Sequence, residues 1–106
     1  SAASDEYKIQ DMIRAMLSES LQAVISQSLL RRQTGGRITA HEIMLGTPAI
    51  RNLIRENKIA QMYSSIQTSA GDGMITLDQT LKNLVSKGTI SKDVARPYAK
   101  QPENFL

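Results

Sequence analysis

The chain has no cysteine, no tryptophan and a single histidine, His41. The missing thiols exclude disulfide scaffolds, thiol nucleophiles and thiolate metal sites. One imidazole excludes a multi-histidine zinc centre. Aromatic residues make up only 4% of the 106, namely Tyr7, Tyr63, Tyr98 and Phe105, so any core must come from Ile, Leu, Val, Met and Ala. No run approaches the roughly 18 consecutive apolar residues of a membrane span. A basic n-region leading into an apolar h-region is also missing, which makes the cytosol the expected compartment. There is no initiator Met, and residues 1–4 read as a vector-derived scar ahead of an excised piece of something larger.

What remains is one small domain. Its residues are 41% hydrophobic and 22% charged, with a net charge of +3. A chain this short buries roughly two-thirds of its unfolded surface. The basic excess is mild and fits a solvated surface better than a nucleic-acid footprint.

Periodicity and punctuation give the coarse architecture. Ile9, Met12, Ile13, Met16 and Leu17 fall at i, i+3, i+4, i+7, i+8, which predicts a helix over residues 5–19 with that stripe turned inward. Ser4 serves as its cap, with Asp5 and Glu6 in the first turn. Leu21–Arg32 and Arg37–Leu45 flank Gln33-Thr34-Gly35-Gly36 and predict an antiparallel hairpin. The start of the first arm, Leu21 to Ile25, also suits a continued helix. Thr47-Pro48 then opens a helix, as N-cap and first helical residue. In it Ile50, Leu53 and Ile54 face inward, while Arg51, Asn52, Arg55 and Glu56 face out.

A further helix after Asn57 carries Ile59, Met62, Tyr63 and Ile66. Residues 69–73 form a loop. Thr76 and Gln79 make a capping box for a helix with the stripe Leu77, Leu81, Leu84 and Val85, stopped by Gly88. Ser91 caps a last short helix that Pro97 truncates or kinks. Residues 101–106 read as a tail. The expected fold is α+β and mostly α: an N-terminal helix, the hairpin, then a bundle of about four short helices.

Chemistry-bearing motifs are few. None of the six glycines opens a G-x-x-x-x-G-K-[ST] phosphate loop, and Gly71-Asp72-Gly73 reads as a connector. His41 and Glu42 are strand neighbours and should point to opposite faces, which argues against a proton relay. The methionines at 12, 16, 44, 62 and 74 read as core filler. Arg31, Arg32 and Arg37 gather at the hairpin tip without an aromatic platform for single-stranded nucleic acid. From periodicity alone Ala49-Ile50-Arg51-Asn52-Leu53-Ile54-Arg55-Glu56 is an amphipathic helix with a few surface ion pairs of little energetic weight.

Those eight residues resemble the A-I-R-N-L-I-R-E box of the type IV pilus retraction ATPases, the PilT family. Met16 to Gln27, Ala40-His41-Glu42-Ile43-Met44, Gly46-Thr47-Pro48, Gln61-Met62-Tyr63, Thr76-Leu77-Asp78 and Pro102-Glu103-Asn104-Phe105 are similar to that family in the same order. The resemblance implies that residues 5–100 are the C-terminal portion of a RecA-like motor domain of the secretion ATPase superfamily. It also implies a parent that is a cytoplasmic homo-hexamer at the base of the pilus. Such a parent hydrolyses ATP with magnesium at subunit interfaces and acts on an inner-membrane platform protein to drive twitching motility.

By the same resemblance, the phosphate loop, the acidic magnesium box and the histidine box lie upstream. The stretch in hand is then expected to bind no cofactor or metal, to carry no catalytic residue and to be inactive alone. His41 does not match the family's histidine box. The role implied for Ala49, Ile50, Arg51, Asn52, Leu53, Ile54, Arg55 and Glu56 is transmission of motion or contact with a partner, and Arg offers directional contacts that Lys cannot reproduce.

A stand-alone adaptor and a small basic nucleic-acid binder are the other classes considered, and apolar hairpin residues left uncovered in a piece of this kind would promote association. The nucleic-acid class has a direct check, because phosphate contacts make binding fall steeply with salt. No binding to duplex DNA is expected near physiological salt in a mobility-shift titration, and micromolar affinity there would contradict this reading.

Overall fold

A computed structural model describes residues 2–106. Ser1, the first residue of the stretch read as a scar, lies outside the described residues. Helix α1 (Ala2–Ser20) leads into strands β1 (Ala23–Arg31) and β2 (Arg37–Leu45). Helices α2 (Pro48–Arg55), α3 (Met62–Gln67), α4 (Leu77–Ser86) and α5 (Lys92–Ala95) follow, with 3-10 turns at Ile59–Gln61, Ala70–Asp72, Arg96–Tyr98 and Pro102–Phe105. The predominantly helical α+β architecture matches expectation. The ambiguity at Leu21–Ile25 resolves in favour of the strand, from Ala23 onward.

The hairpin is the spine. Its strands pair antiparallel in one register from Ala23↔Leu45 to Arg31↔Arg37, closed by Gly35 and Gly36 at φ 99° and 74°, values that favour glycine. The tip is tethered, since the Gln33 amide donates to the Thr89 carbonyl (2.9 Å) and Gln33 Nε2 to that of Gly88 (3.1 Å). One strand face carries Leu30, Ile38 and Ala40 into a first core with Leu81, Ile90, Ala95 and Phe105. At the hairpin base, Met44 and Leu45 border a second core built on Ile50, Ile54, Ile66 and Met74.

Local signals placed the helices as the sequence predicts. Thr47 Oγ1 accepts the Ile50 amide, Thr76 and Gln79 form the reciprocal capping box, and Ser91 Oγ accepts the Val94 amide. Gly88, at φ 74°, ends α4. Pro97 turns the chain after α5 into a 3-10 turn.

Three expectations are corrected. Helix α1 starts at Ala2, so Ser4 lies within it and is not its cap. Its apolar stripe is not buried: Met16 is 62% exposed, and Ile9, Met12, Ile13 and Leu17 are exposed too. The residue of α1 that is buried is Ser18, whose hydroxyl donates to the Ala15 carbonyl at 2.7 Å. Helical periodicity identifies a face but not what covers it, and α1 lies against α2 while its apolar stripe stays exposed. The radius of gyration, 17.1 Å, accordingly exceeds the roughly 13 Å of a compact chain of this length. Of the methionines only Met74 is fully buried, and Met12 and Met16 stand in the exposed stripe.

The third correction concerns the terminal residues. Residues 101–106, read as a tail, return to the protein: Phe105 is 2% exposed within the first core. Arg96 Nε and Nη2 donate to its carbonyl at 3.2 and 2.8 Å. Emptying that site leaves a cavity against Leu81, Ile90 and Ala95. Phe105→Ala should lower unfolding stability by about 3–5 kcal/mol, seen in urea titration as a lower midpoint. A change under about 1 kcal/mol would show that the terminal turn is not part of the core.

Candidate functional site

The octapeptide occupies α2 from its second residue, Ala49, and ends on the C-terminal capping residue Glu56. Pro48 fits the first helical position because its missing N–H has no helical partner to lose. The helix stops at Glu56, and Asn57 takes the left-handed conformation (φ 57°). Its amide reaches the Ile54 carbonyl at 3.1 Å, and the Lys58 amide reaches Leu53 at 2.8 Å. This is a Schellman stop with Asn in place of Gly. The sequence held that signal in Asn57, and it explains why the chain turns before the 3-10 segment at Ile59–Gln61.

The inner face is as expected in part. Ile50 and Ile54 are fully packed in the second core and Leu53 is half-buried. Burying an isoleucine side chain contributes roughly 1.5–3 kcal/mol, so these two hold α2 firmly to the hairpin base. Outside stand Ala49, Asn52, Arg55 and Glu56. Arg55 Nη1 reaches Asn52 Oδ1 at 3.5 Å, and Glu56 pairs with Lys58 at 3.0 Å.

Arg51 departs from the expected outer face. It is half-buried, Nη2 donates to the Leu21 carbonyl at 3.0 Å, and Nε is enclosed with no hydrogen-bond partner among the described residues. Periodicity could not show this, since the end of α1 that Arg51 meets is thirty positions away in the sequence.

A polar cluster missed by sequence reasoning joins α3, α4 and the terminal segment. The Asp78 carboxylate, 7% exposed, accepts the backbone amides of Lys100 and Gln101 at 2.8 and 2.9 Å. Lys100 Nζ lies 4.4 Å from the centroid of the Tyr63 ring, a cation–π contact. Glu42 Oε2 accepts the Leu77 amide at 3.0 Å, placing a carboxylate at the positive end of α4. Burial raises the Tyr63 phenol above its ordinary 10.0; a hydrogen bond with Thr76 lowers it, and the negative charges of Asp78 and Glu42 raise it further.

His41 and Glu42 do point apart. The imidazole meets Gln27 Oε1 across the hairpin at 3.2 Å, while Glu42 reaches α4. The tip arginines are exposed, with Arg31 directly opposite Arg37. A hollow of about 460 Å³ is lined by Ala70, Gly73, Met74, Ile75, Gln79 and Asn83 and holds no charged side chain. Among the described residues no three His, Asp or Glu side chains converge as metal ligands, and no helix is long and apolar enough to cross a membrane.

No family model matches the chain. Whole-sequence comparison does: it is 67% identical over 94 residues to the type IV pilus retraction ATPase PilT of Pseudomonas aeruginosa, covering 89% of this chain and 27% of that protein. The chain belongs to the PilT family. A twitching motility protein of Neisseria gonorrhoeae is 52% identical over 97 residues, covering 91% of this chain and 26% of its own length. In three dimensions the chain superposes on the crystal structure of the pilus retraction motor PilT with bound ADP, with a TM-score of 0.76 and 40% identity, over 89% of this chain and 26% of that one.

The chain thus spans about a quarter of the PilT-family relatives it matches. A nucleotide and its magnesium are implied by that family, but the residues present do not fit them. The glycine loops lack the phosphate-loop spacing, and among the described residues no acidic set is assembled, so no chemical step is assigned to these residues.

The raised phenol has a measurable consequence. Tyr63 favours its neutral form in the fold, so it contributes stability below pH 10 that is lost as the pH rises through its folded value. Tyrosinate absorbance should show a step above the ordinary phenol value, and Tyr63→Phe should remove that late step. A late step that persists unchanged in Tyr63→Phe would contradict the assignment.

Proposed function

We propose that this chain is the transmission portion of a hexameric ATPase that powers type IV pilus retraction and so twitching motility. It works beside nucleotide sites built from other parts of the motor, which use ATP and magnesium. Helix α2 passes motion to a neighbouring subunit or to the inner-membrane platform protein at the cytoplasmic base of the pilus. The observation that carries this reading is the division of α2. Ile50 and Ile54 fix it to the hairpin base, and Asn52, Arg55 and Glu56 face away from the fold. A helix anchored on one side and polar on the other moves as a rigid piece with its support and can push on whatever touches its outer face.

Arg55 is the part of that face best suited to a directional contact, since a guanidinium presents a planar fork of donors. In the full-length motor protein, Arg55→Ala should leave the ATPase rate within about twofold while cutting retraction roughly tenfold or more. Equal loss of both, with the thermal midpoint unchanged, would overturn the transmission role.

A further inference from the structure

The junction of α1 with β1 is gripped from two sides. The Leu21 amide closes the last turn of α1 on the Leu17 carbonyl at 2.9 Å, which leaves the Leu21 carbonyl projecting past the helix end. Arg51 Nη2 takes that carbonyl at 3.0 Å. Gly46 packs on the same stretch, its amide donating to the Gln22 carbonyl at 2.8 Å. A β-carbon at Gly46 would run into the Leu21 carbonyl and crowd that of Gln22, both of them backbone groups with no flexible end to give way. The Leu21 side chain meanwhile packs on the core that holds Ile50 and Ile54.

Electrostatics accounts for an arginine here. Arg51 lies in the N-terminal half of α2, where the helix dipole disfavours a cation, yet its guanidinium sits at the C-terminal end of α1, where the dipole favours one. Its Nε is enclosed without a partner, a desolvation cost that the carbonyl bond and the packing around it must offset.

We infer that Arg51 is a positioning residue: with Gly46 it locks the end of α1 to α2, so that displacement of α1 is carried into the transmission helix. The inference rests on the motor reading above and gives it an input side, with Arg51 receiving motion where Arg55 delivers it. It also explains why the two arginines of the octapeptide, four residues apart on one helix, lie in different environments.

Gly46→Ala tests the joint without touching the octapeptide. In the full-length motor protein, Gly46→Ala and Arg51→Gln should each leave the ATPase rate within about twofold and reduce retraction roughly tenfold. The double variant should be no worse than Arg51→Gln alone, because both changes open one joint. Because Arg51 makes one bond to the Leu21 carbonyl rather than a forked pair, Arg51→Lys, which keeps the length and charge that Gln lacks, should recover most of the retraction lost in Arg51→Gln.

Normal retraction in Arg51→Gln, no recovery in Arg51→Lys, or multiplicative loss in the double variant would each overturn the joint. Should Gly46→Ala fail to fold, the Gln and Lys variants decide alone. Arg55→Ala separates the two levels. If it loses retraction while Arg51→Gln does not, the joint fails and the motor reading stands. If none of these variants loses retraction, the transmission reading itself fails.

Discussion

The pairing register of β1 and β2 is the constraint on which the other elements depend. Side chains on a strand alternate between faces, so a slip of one residue would exchange every inward group for an outward one. Leu30 and Ala40 would leave the first core. Glu42 would turn away from the start of α4, and His41, now matched with Gln27 on the opposite face, would be driven toward the helices. The register is fixed at both ends. At the tip Gln33 is bound to the Gly88–Thr89 turn, and at the base the Gly46 amide is bound to the Gln22 carbonyl. Along β2, Ile43 also exchanges two backbone hydrogen bonds with Ile75, at 2.9 and 3.1 Å, which brings the segment leading into α4 alongside the strand.

From that spine two cores separate, and they serve different ends. The first, around Leu81 and Phe105, closes the terminal helices on the outer half of the hairpin. The second, around Ile50 and Ile66, seats α2 and α3 at its base. The link between them is polar: Asp78 on α4 holds the backbone at Lys100 and Gln101, and Lys100 covers Tyr63 on α3. A buried carboxylate satisfied by two backbone amides fixes the direction of a segment more narrowly than apolar packing alone, since losing either partner would strand a desolvated charge. The helix that carries the octapeptide is therefore supported by a rigid neighbour.

Local physics was legible in the sequence and tertiary approach was not. Thr47-Pro48, Thr76 with Gln79, Ser91, the glycine pair at the hairpin tip and Gly88 each state a backbone requirement within four residues, and all act as read. The α1 stripe misled because Ile9, Met12, Ile13 and Met16 define an apolar side without saying whether this stretch of chain supplies its cover. Phe105 looked like part of a tail because a single aromatic carries no periodicity, and its burial depends on joining the core of Leu30, Ala40, Leu81, Ile90 and Ala95. The octapeptide was legible as a unit through its family resemblance. Its division into an inward Arg51 and an outward Arg55 was not, since residues four apart share nearly the same side of a helix.

That division depends on where α1 ends. Had α1 continued through Leu21 to Ile25, the Leu21 carbonyl would have been consumed by the helix ladder, and no acceptor would stand beside Arg51. Ending at Ser20 leaves the carbonyl free, and a glycine at position 46 lets the returning strand come close enough to hold the same peptide stretch. The choice between helix and strand over five residues, which composition left open, thus determines whether the first arginine of the octapeptide faces solvent or the fold. A shift in the end of α1 by even one residue would move that acceptor by about 1.5 Å along the axis and about 100° around it, enough to break a 3.0 Å bond. The coupling between the two helices is consequently as sensitive to the length of α1 as to the identity of Arg51.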